Sequence, residues 1–518
     1  MTPSQLGLVS LPPELFPIVA AHLPLYTTPS TLLSLTLVNR HLSEIVLPIL
    51  FSRLILRNED HALQMIQRLL DEPELGQGVR ELHIMSGLSE DTKLGRKPFD
   101  VVTGLKKVVT QGLLPHIHTL GLHLLSGWHP PVGGTSIYDL APQVYGDLRS
   151  DFWVDVTAKC PRLKDLILDN VGDARSDRWL EDCGLYDIQG LTTLVHLQPL
   201  DSGTEAGHSK LMKNLRVLSP SLHTLAISQP GSIGPSASPL FALDFPHLKS
   251  LSLHFHFFDN LSVAMAFWKR HPTLETLELE KYSPMNNHFT KDFDSDFLPN
   301  LRYLKTDFED VQILAPILHH LIGLEINSSI VAQMPYLFGS ILPEGLPNLK
   351  SLYIGELPFE FPEDAHWYEK EDGEFEESIS DDPPASLHTS INQYIHSIAK
   401  GAPNLIELGM YLQIEYSSQF MHLSRQLKPF LHLERLYLES FQCKFALFRP
   451  HECLTFSAGA HLLGSACRSL KSVTNTGTVD LPYLSARIRR DDAGHVEKVT
   501  MRKGCGMQVG REEIAFLT

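Results

Sequence analysis

Residues 248–279 have the sequence LKSLSLHFHFFDNLSVAMAFWKRHPTLETLEL. The stretch begins and ends with the same phrase, LxxLxL, and the two copies at 248–253 and 274–279 start 26 residues apart. Alternation of leucine with other residues is typical of a strand that buries one face, so each phrase predicts a strand. Residues 261–270, between the two phrases, are a candidate helix. The stretch therefore predicts a unit of one strand and one helix that repeats.

The phrase recurs along most of the chain. Neighbouring copies are separated by 26, 26, 27, 28 and 28 residues where the spacing is most regular, and proline stands two positions before several of them. One copy carries no weight because leucine is common, whereas many copies in near-regular phase are typical of repeated units. A degenerate copy, LTTLVHL at 191–197, falls in the long gap after residue 163. The regular copies begin at residues 79, 117, 163, 222, 248, 274, 301, 321, 349, 405 and 433.

The phrase resembles the strand segment of leucine-rich repeats. This resemblance implies an α/β fold in which an irregular solenoid, shaped like a horseshoe, occupies residues 58–480. Its strands would form a parallel concave sheet, and its helices would lie on the outside. The Asn or Cys that the repeat usually carries after the strand is mostly missing, which predicts irregular curvature.

The N-terminal residues 11–51 have a different pattern, LPPELFPIVAAHLPLYTTPSTLLSLTLVNRHLSEIVLPILF. The apolar spacing predicts three short helices, with the second beginning at Thr28 and the third stopping at Pro48. Three helices of this length bury too little surface to be stable alone, so we expect them to need a partner.

This N-terminal stretch resembles an F-box, as found in fungal members of that family, with Leu42 and Phe51 where many relatives carry Trp. The resemblance implies an F-box over residues 1–57 that docks the Skp-type adaptor, and through it the cullin, of an SCF ubiquitin ligase. The residues expected to bind the adaptor are Leu11, Pro12, Glu14, Leu15, Ile18, Leu33, Leu37, Val38 and Leu42.

Two further segments interrupt or end the repeats. Residues 356–382 contain twelve acidic residues and one lysine, which predicts a mobile acidic loop at 356–384 and no core strand. Residues 481–518 change to short alternating segments around an Asp-Asp-Ala-Gly turn. Because a solenoid needs a polar end, we expect this segment to be a C-terminal β cap.

Composition excludes several classes of function. The 518 residues carry a formal net charge of -17 with no compensating basic run, which argues against a nucleic-acid partner. Residues 15–39 lack charged side chains, but Pro17, Pro24 and Pro29 interrupt them, so no membrane span or membrane partner is predicted. Six scattered cysteines without a CxxC pair favour a reducing compartment, the cytoplasm or the nucleus.

The sequence offers no catalytic constellation. GxSxG, P-loop and HExxH motifs do not occur, and the GxGxxxG at 504–510 is one residue too long for a dinucleotide fingerprint. The spacing of Cys443, His451, Cys453 and Cys467 matches no standard zinc pattern, which favours buried structural thiols. We therefore predict a protein that is not an enzyme and holds no metal or cofactor.

The positions that alternate with the repeat leucines are predicted to line the exposed concave face of the sheet. These positions are mostly acidic and include several tyrosines, a composition that suits a basic peptide or protein segment. The alternative is that they are solvated polar positions without a ligand. The residues predicted to bind a target are Asp165, Asp169, His254, Glu278, Glu280, Tyr303, Asp307, Glu325, Tyr353, Tyr411, Arg435 and Tyr437.

Together these features predict a substrate-recognition subunit of an SCF ubiquitin ligase, with the F-box docking the adaptor and the repeats binding a protein target. The alternative is a leucine-rich-repeat scaffold, or an inhibitor-like protein-binding module, outside any ligase.

Overall fold

The described residues form two compact units. The first comprises Met1–Thr290 and Asp296–Asn300, and the second comprises Lys291–Ser295 and Leu301–Gly510. The computed structural model describes residues 11–23, 28–56, 59–85, 97–123, 148, 150–169, 184–197, 205–228, 236–254, 258–280, 288–294, 296–327, 333–355, 385–411, 417–440, 450–477 and 483–504.

The first unit contains a parallel sheet in which each strand pairs with the next strand along the chain. The repeat leucines are in register across it, so that Leu251 lies beside Leu277, and both side chains are fully buried. The strands are β1 (Arg53–Leu56), β2 (Glu81–Met85), β3 (Thr119–His123), β4 (Asp165–Asp169), β5 (Thr193–Leu197), β6 (Thr224–Ser228), β7 (Ser250–His254) and β8 (Thr276–Glu280). The predicted α/β repeat with a parallel sheet is thereby confirmed for this unit.

Helices connect these strands. The predicted helix at 261–270 is present with the same bounds. The helices are α1 (Leu15–Ala21), α2 (Thr28–Thr36), α3 (Arg40–Ser52), α4 (Glu59–Asp71), α5 (Pro73–Gly78), α6 (Lys97–Thr110), α7 (Ser150–Lys159), α8 (Glu205–Leu218), α9 (Ser238–Phe241) and α10 (Leu261–Arg270), with a 3-10 turn at Gly184–Asp187.

Helices α1 to α3 enclose a small core of their own, made by Phe16, Ala20, Leu32, Leu42 and Val46. The prediction that the third helix stops at Pro48 is wrong, since α3 continues through it to Ser52. Proline removes one backbone hydrogen bond from a helix, but the buried contacts of Leu42 and Val46 hold α3 against the core.

The N-terminal helices belong to the same compact unit as the first sheet. The Arg53 side chain donates to the Ala20 carbonyl, and the Arg80 amide donates to the Ser52 carbonyl at 2.8 Å. Strand β1 follows α3 directly and pairs with β2. The predicted boundary at residue 57 therefore does not coincide with the division into compact units, and it separates β1 from the strand with which it pairs.

One residue in the inner layer of the first sheet is not aliphatic. His196 pairs with Leu168 on one side and Ile227 on the other, and its side chain is buried. Its Nδ1 lies 3.1 Å from the Tyr186 hydroxyl. Burial lowers the pKa of His196 to about 4, because the imidazolium would lose its hydration there.

The second unit repeats the same construction and ends in a hairpin. Strands β9 (Tyr303–Thr306), β10 (Gly323–Ile326), β11 (Ser351–Ile354), β12 (Glu407–Tyr411), β13 (Arg435–Ser440) and β14 (Ser472–Gly477) are parallel, each beside the next. Strands β15 (Tyr483–Arg490) and β16 (Val496–Gly504) are antiparallel, and β15 pairs with β14. Strand β14 was not predicted, because Val473 and Asn475 stand where the phrase requires leucine.

The helices of the second unit are α11 (Phe308–Leu314), α12 (Gln333–Tyr336), α13 (Ala385–Gly401), α14 (Ser417–Gln426) and α15 (Pro450–Ala466), with a 3-10 helix at Ala315–His320 and a π-helical turn at Leu337–Ile341. The predicted acidic loop at 356–384 and the GxGxxxG at 504–510 lie outside the described residues, except for Gly504 at the end of β16. Among the helices that the structure describes, none is both long and apolar enough to span a membrane.

An asparagine before the strand ties successive repeats together. The side-chain amides of Asn300, Asn348 and Asn404 donate to a backbone carbonyl of the preceding repeat at 2.9, 3.1 and 2.9 Å. Each lies in a Pro-Asn-Leu segment at the start of an LxxLxL phrase. In these repeats an asparagine side chain before the strand therefore links each repeat to the preceding one.

Candidate protein-binding surfaces

The sheet of the first unit carries a polar network at its β7 and β8 strands. His254 Nδ1 lies 2.7 Å from Glu280 Oε2, and its Nε2 lies 2.7 Å from Ser252 Oγ. The Ser252 hydroxyl also donates to Glu278 at 3.1 Å. Ser252 and His254 are buried, whereas about three tenths of each glutamate side chain is exposed. The carboxylates of Glu278 and Glu280 are thus the part of this network that an approaching ligand would contact.

The order of hydroxyl, imidazole and carboxylate in this network is the one used for nucleophilic catalysis. Catalysis of that kind also needs N–H donors aimed at a developing oxyanion. Ser252 and its neighbours lie inside parallel ladders with β6 and β8, which engage the strand backbone. The hydroxyl is shared with Glu278 as well. We interpret the cluster as a structural polar network that orients two carboxylates.

Asp165 is held by threonines on both sides of its strand. Thr119 on β3 donates to Asp165 Oδ2 at 3.0 Å, and Thr192, just before β5, donates to Oδ1 at 2.9 Å. The side chain is half-buried. Hydrogen bonds to both oxygens stabilise the carboxylate in place.

In the second unit, Glu325 is engaged by two neighbours on β9. Lys305 Nζ lies 2.9 Å from Glu325 Oε1, and the Tyr303 hydroxyl donates to Oε2 at 2.8 Å. Only 3% of the Lys305 side chain and 9% of the Glu325 side chain are exposed. The pair is therefore an internal ion pair, and Glu325 is not available to a basic target.

The strands of the second unit also carry another ion pair and two contacts between a tyrosine and a glycine. Arg435 on β13 contacts the buried carboxylate of Glu407 on β12. The ring of Tyr353 lies over Gly409, where a Cβ atom would be 2.0 Å from the ring. Tyr303 covers Gly323 in the same way. In these strands glycine leaves space for a tyrosine ring from the preceding repeat. A glycine inside a strand pattern is a sequence signal of such a close approach.

The prediction that the target-binding residues are solvent-exposed is wrong for several of them. His254, Tyr303, Asp307, Glu325 and Tyr437 are each less than 9% exposed. Neighbouring strands are only about 4.8 Å apart, so large side chains on the same face cover one another. Side chains with exposed surface remain at Asp165, Glu278, Glu280, Tyr353 and Arg435.

Two predicted target residues have described backbones only. Asp169 pairs with His123 and Leu197, and Tyr411 pairs with Glu439. Their side chains lie outside the described part of the structure.

Asp307 is the residue immediately before helix α11.

The N-terminal helices expose apolar side chains. Leu37 is 79% exposed and Val38 62%, and both lie in the turn between α2 and α3. We call the apolar patch the set of Leu15, Ile18, Val19, Leu33, Leu37 and Val38, all of which are exposed. Exposed apolar residues in this number are typical of a surface that meets another protein.

The predicted adaptor-binding residues differ in their placement. Pro12 and Glu14 are exposed, and Leu11 is half-buried against the helical core. Leu42 is 1% exposed and packs inside that core, so the prediction that it contacts a partner is wrong. Asn39 is the N-cap of α3, and its side chain accepts from the Leu42 amide at 2.9 Å. This bond fixes the start of the helix, and Leu42 then lies on its buried side.

The described residues contain no group of three or more His, Cys, Asp or Glu side chains that could hold a metal ion. Cys160 and Cys467 are buried free thiols, and burial raises the pKa of Cys160 to about 11. The side chains of Cys443, His451 and Cys453 lie outside the described residues.

A parallel strand lies at each LxxLxL phrase, with the leucines buried and the strands of each unit in register, and this is an α/β repeat architecture. No protein-family model and no curated protein sequence matches the chain. Among solved structures, the Rad7 and Elc1 complex of yeast is similar over 88% of this chain and 89% of the matched chain, with 15% identity and a TM-score of 0.38. The leucine-rich repeat-containing protein LegL7 from Legionella pneumophila is similar over 80% and 87%, with 11% identity and a TM-score of 0.26. At these values the two similarities assign neither a family nor a function.

Proposed function

We propose that this chain is the substrate-recognition subunit of an SCF ubiquitin ligase. The N-terminal helices would dock a Skp-type adaptor, and through it a cullin, while the repeats would hold a protein target. No bond is made or broken by the chain in this role. Its contribution is to raise the effective concentration of the target near the ubiquitin-charged enzyme, in the cytoplasm or the nucleus.

The observation that carries the proposal is the exposure of Leu15, Ile18, Leu33, Leu37 and Val38. These are residues that the resemblance to an F-box assigns to the adaptor. Apolar side chains at such exposure lose contact with water when a partner covers them, which favours binding by about 25 cal/mol per Å² of buried apolar surface. The core residues of these helices are buried, whereas the side chains of the apolar patch remain exposed to solvent.

Leu37→Asp is expected to weaken binding of a purified Skp-type adaptor by at least about tenfold, because it places a charge at the most exposed residue of the apolar patch. Isothermal titration calorimetry with the full chain measures this. Leu431→Asp is the matched control, since Leu431 is 74% exposed but lies in the second unit, just before β13. The control should bind the adaptor as the unmodified chain does.

Two outcomes would reject the ligase role. One is that the unmodified chain does not bind the adaptor, which would favour a protein-binding scaffold outside any ligase. The other is equal affinity in the Leu37→Asp variant. Point substitution is sharper than deletion of residues 1–57, because the deletion also removes β1, one of the two strands that pair with β2.

A further inference from the structure

Basic side chains from three successive repeats meet at the N-terminal ends of strands β2 to β4. Each LxxLxL phrase places one residue directly after its first apolar position, and here these residues are Arg80, His118 and Lys164. The His118 amide donates to the Arg80 carbonyl at 2.6 Å, and the Lys164 amide donates to the His118 carbonyl at 2.8 Å. The three residues are therefore adjacent in space although 84 positions separate the first from the last.

Two further basic residues stand two positions earlier in the same repeats, His116 and Arg162. Desolvation, and after it the positive charges of Arg162, Arg80 and His118, lower the pKa of His116. We call the basic rim the set of Arg80, His116, His118, Arg162 and Lys164. Strands about 4.8 Å apart give it a width of about 10 Å.

Within the described part of the chain, the cations of the basic rim contact backbone carbonyls and no carboxylates. Arg80 donates to the Gln77 carbonyl at 3.0 Å, and Lys164 donates to the Gly190 carbonyl at 3.3 Å. Among the residues that the structure describes, none of the three cations has a carboxylate oxygen within 4 Å. Arg162 and Lys164 are exposed, and Arg80 is half-buried.

The nearest acidic residues along the chain are already engaged. Glu81 follows Arg80 and is paired with Arg53 at 2.6 Å. Asp165 follows Lys164 and accepts from Thr119 and Thr192. Glu81 and Asp165 are the first residues of β2 and β4, and their carboxylates contact partners on neighbouring strands or just before them. The rim is thus a positive site on a chain of net charge -17.

We propose that the basic rim binds an acidic polypeptide segment in extended conformation, with carboxylate or phosphate side chains facing Arg80, Arg162 and Lys164. Side chains on one face of an extended segment repeat about every 7 Å, which suits cations spread over about 10 Å. Guanidinium groups pair with carboxylate and phosphate in two parallel hydrogen bonds. The proposal does not depend on the ligase role.

The observations favour a peptide over a nucleic acid. Nucleic acid carries a phosphate charge along its whole length, and the net charge of -17 would repel every part of it beyond the rim. A short acidic segment needs to contact only the rim, so few of its charges come within the screening length of about 8 Å of acidic groups elsewhere on the chain.

The test uses the full chain and a fluorescein-labelled peptide of alternating Glu and Ser, read by fluorescence anisotropy. The variant Arg80→Gln/Arg162→Gln/Lys164→Gln is expected to bind it at least about tenfold more weakly than the unmodified chain. The matched control is Lys213→Gln/Arg216→Gln/Lys269→Gln, which removes three exposed cations from the same unit and lowers the net charge equally. The control should lose less than about twofold.

Raising the salt from about 0.05 to about 0.5 M should weaken binding to the unmodified chain, as expected for ion pairs at a surface. A phosphoserine and glycine peptide distinguishes phosphate from carboxylate as the preferred group, and either preference supports the proposal. No saturable binding, an equal loss in both variants, or tighter binding of a thymidine oligonucleotide of the same length would overturn it.

Discussion

Glu325→Gln is expected to lower the free energy of unfolding by about 3 to 5 kcal/mol, since breaking a buried ion pair leaves an uncompensated charge. Lys305 Nζ lies 2.9 Å from the Glu325 carboxylate, and both side chains are nearly inaccessible to water. The side-chain oxygen of glutamine can still accept from Tyr303. The measured loss of stability therefore reports the cost of burying the Lys305 charge without a carboxylate. Urea denaturation followed by circular dichroism measures it.

Two further variants test whether the loss of stability comes from the burial of this ion pair. Glu434→Gln breaks an ion pair of similar length, 2.6 Å to Lys471, whose side chains are 34% and 67% exposed. It should cost less than about 1 kcal/mol. Lys305→Met combined with Glu325→Leu removes both charges and should restore most of the stability. If Glu325→Gln behaves like Glu434→Gln, the pair is more hydrated than its burial indicates.

The second large effect is a loss of stability in acid caused by His196. Its pKa is lowered to about 4 in the folded protein, against 6.5 for an unperturbed histidine. Below pH 6.5 the unfolded chain therefore binds a proton that the folded chain does not, and stability falls until the pH reaches about 4. By linkage the loss is about 2 kcal/mol at pH 5 and about 3 kcal/mol in full.

His196→Leu should remove this part of the pH dependence, because leucine does not titrate and the paired positions on both neighbouring strands, Leu168 and Ile227, are also aliphatic. The measurement is the free energy of unfolding from pH 7.5 to pH 4.5 for both proteins. Leu168→Val, at the paired position on β4, is the control and should lower stability by about 1 kcal/mol at every pH. Parallel pH profiles for the unmodified chain and His196→Leu would contradict the prediction.

The leucine phrases predict the strands well, because the alternation of buried and outward positions is set by a few consecutive residues. A leucine at alternate positions must be buried, and twelve phrases, including the degenerate copy at 191–197, all contain strands. Strand β14 was missed for the same reason, since valine and asparagine replace its leucines. The helix through Pro48 was also missed, because tertiary contacts of α3 outweigh a lost backbone hydrogen bond.

The surfaces were harder to predict because they are assembled from residues far apart in sequence. Alternation placed Glu325 and Tyr303 opposite the leucines, but only the register of β9 with β10 shows that they cover each other. The basic rim cannot be predicted from the sequence, because each repeat contributes one or two of its residues and no basic run exists. The family pattern predicts a partner contact for Leu42, whereas its burial depends on where α3 begins.

The hairpin of β15 and β16 bears on self-assembly. A parallel sheet with a free edge is a template to which a second copy can add a strand. Here the chain reverses direction after β14, and among the described residues β16 pairs with β15 alone. Exposed Glu497 and Lys498 on β16 place charges along that edge, and Glu497 is bound by Arg489 through two 2.8 Å hydrogen bonds. We therefore expect this end of the molecule to resist fibre-like association between copies.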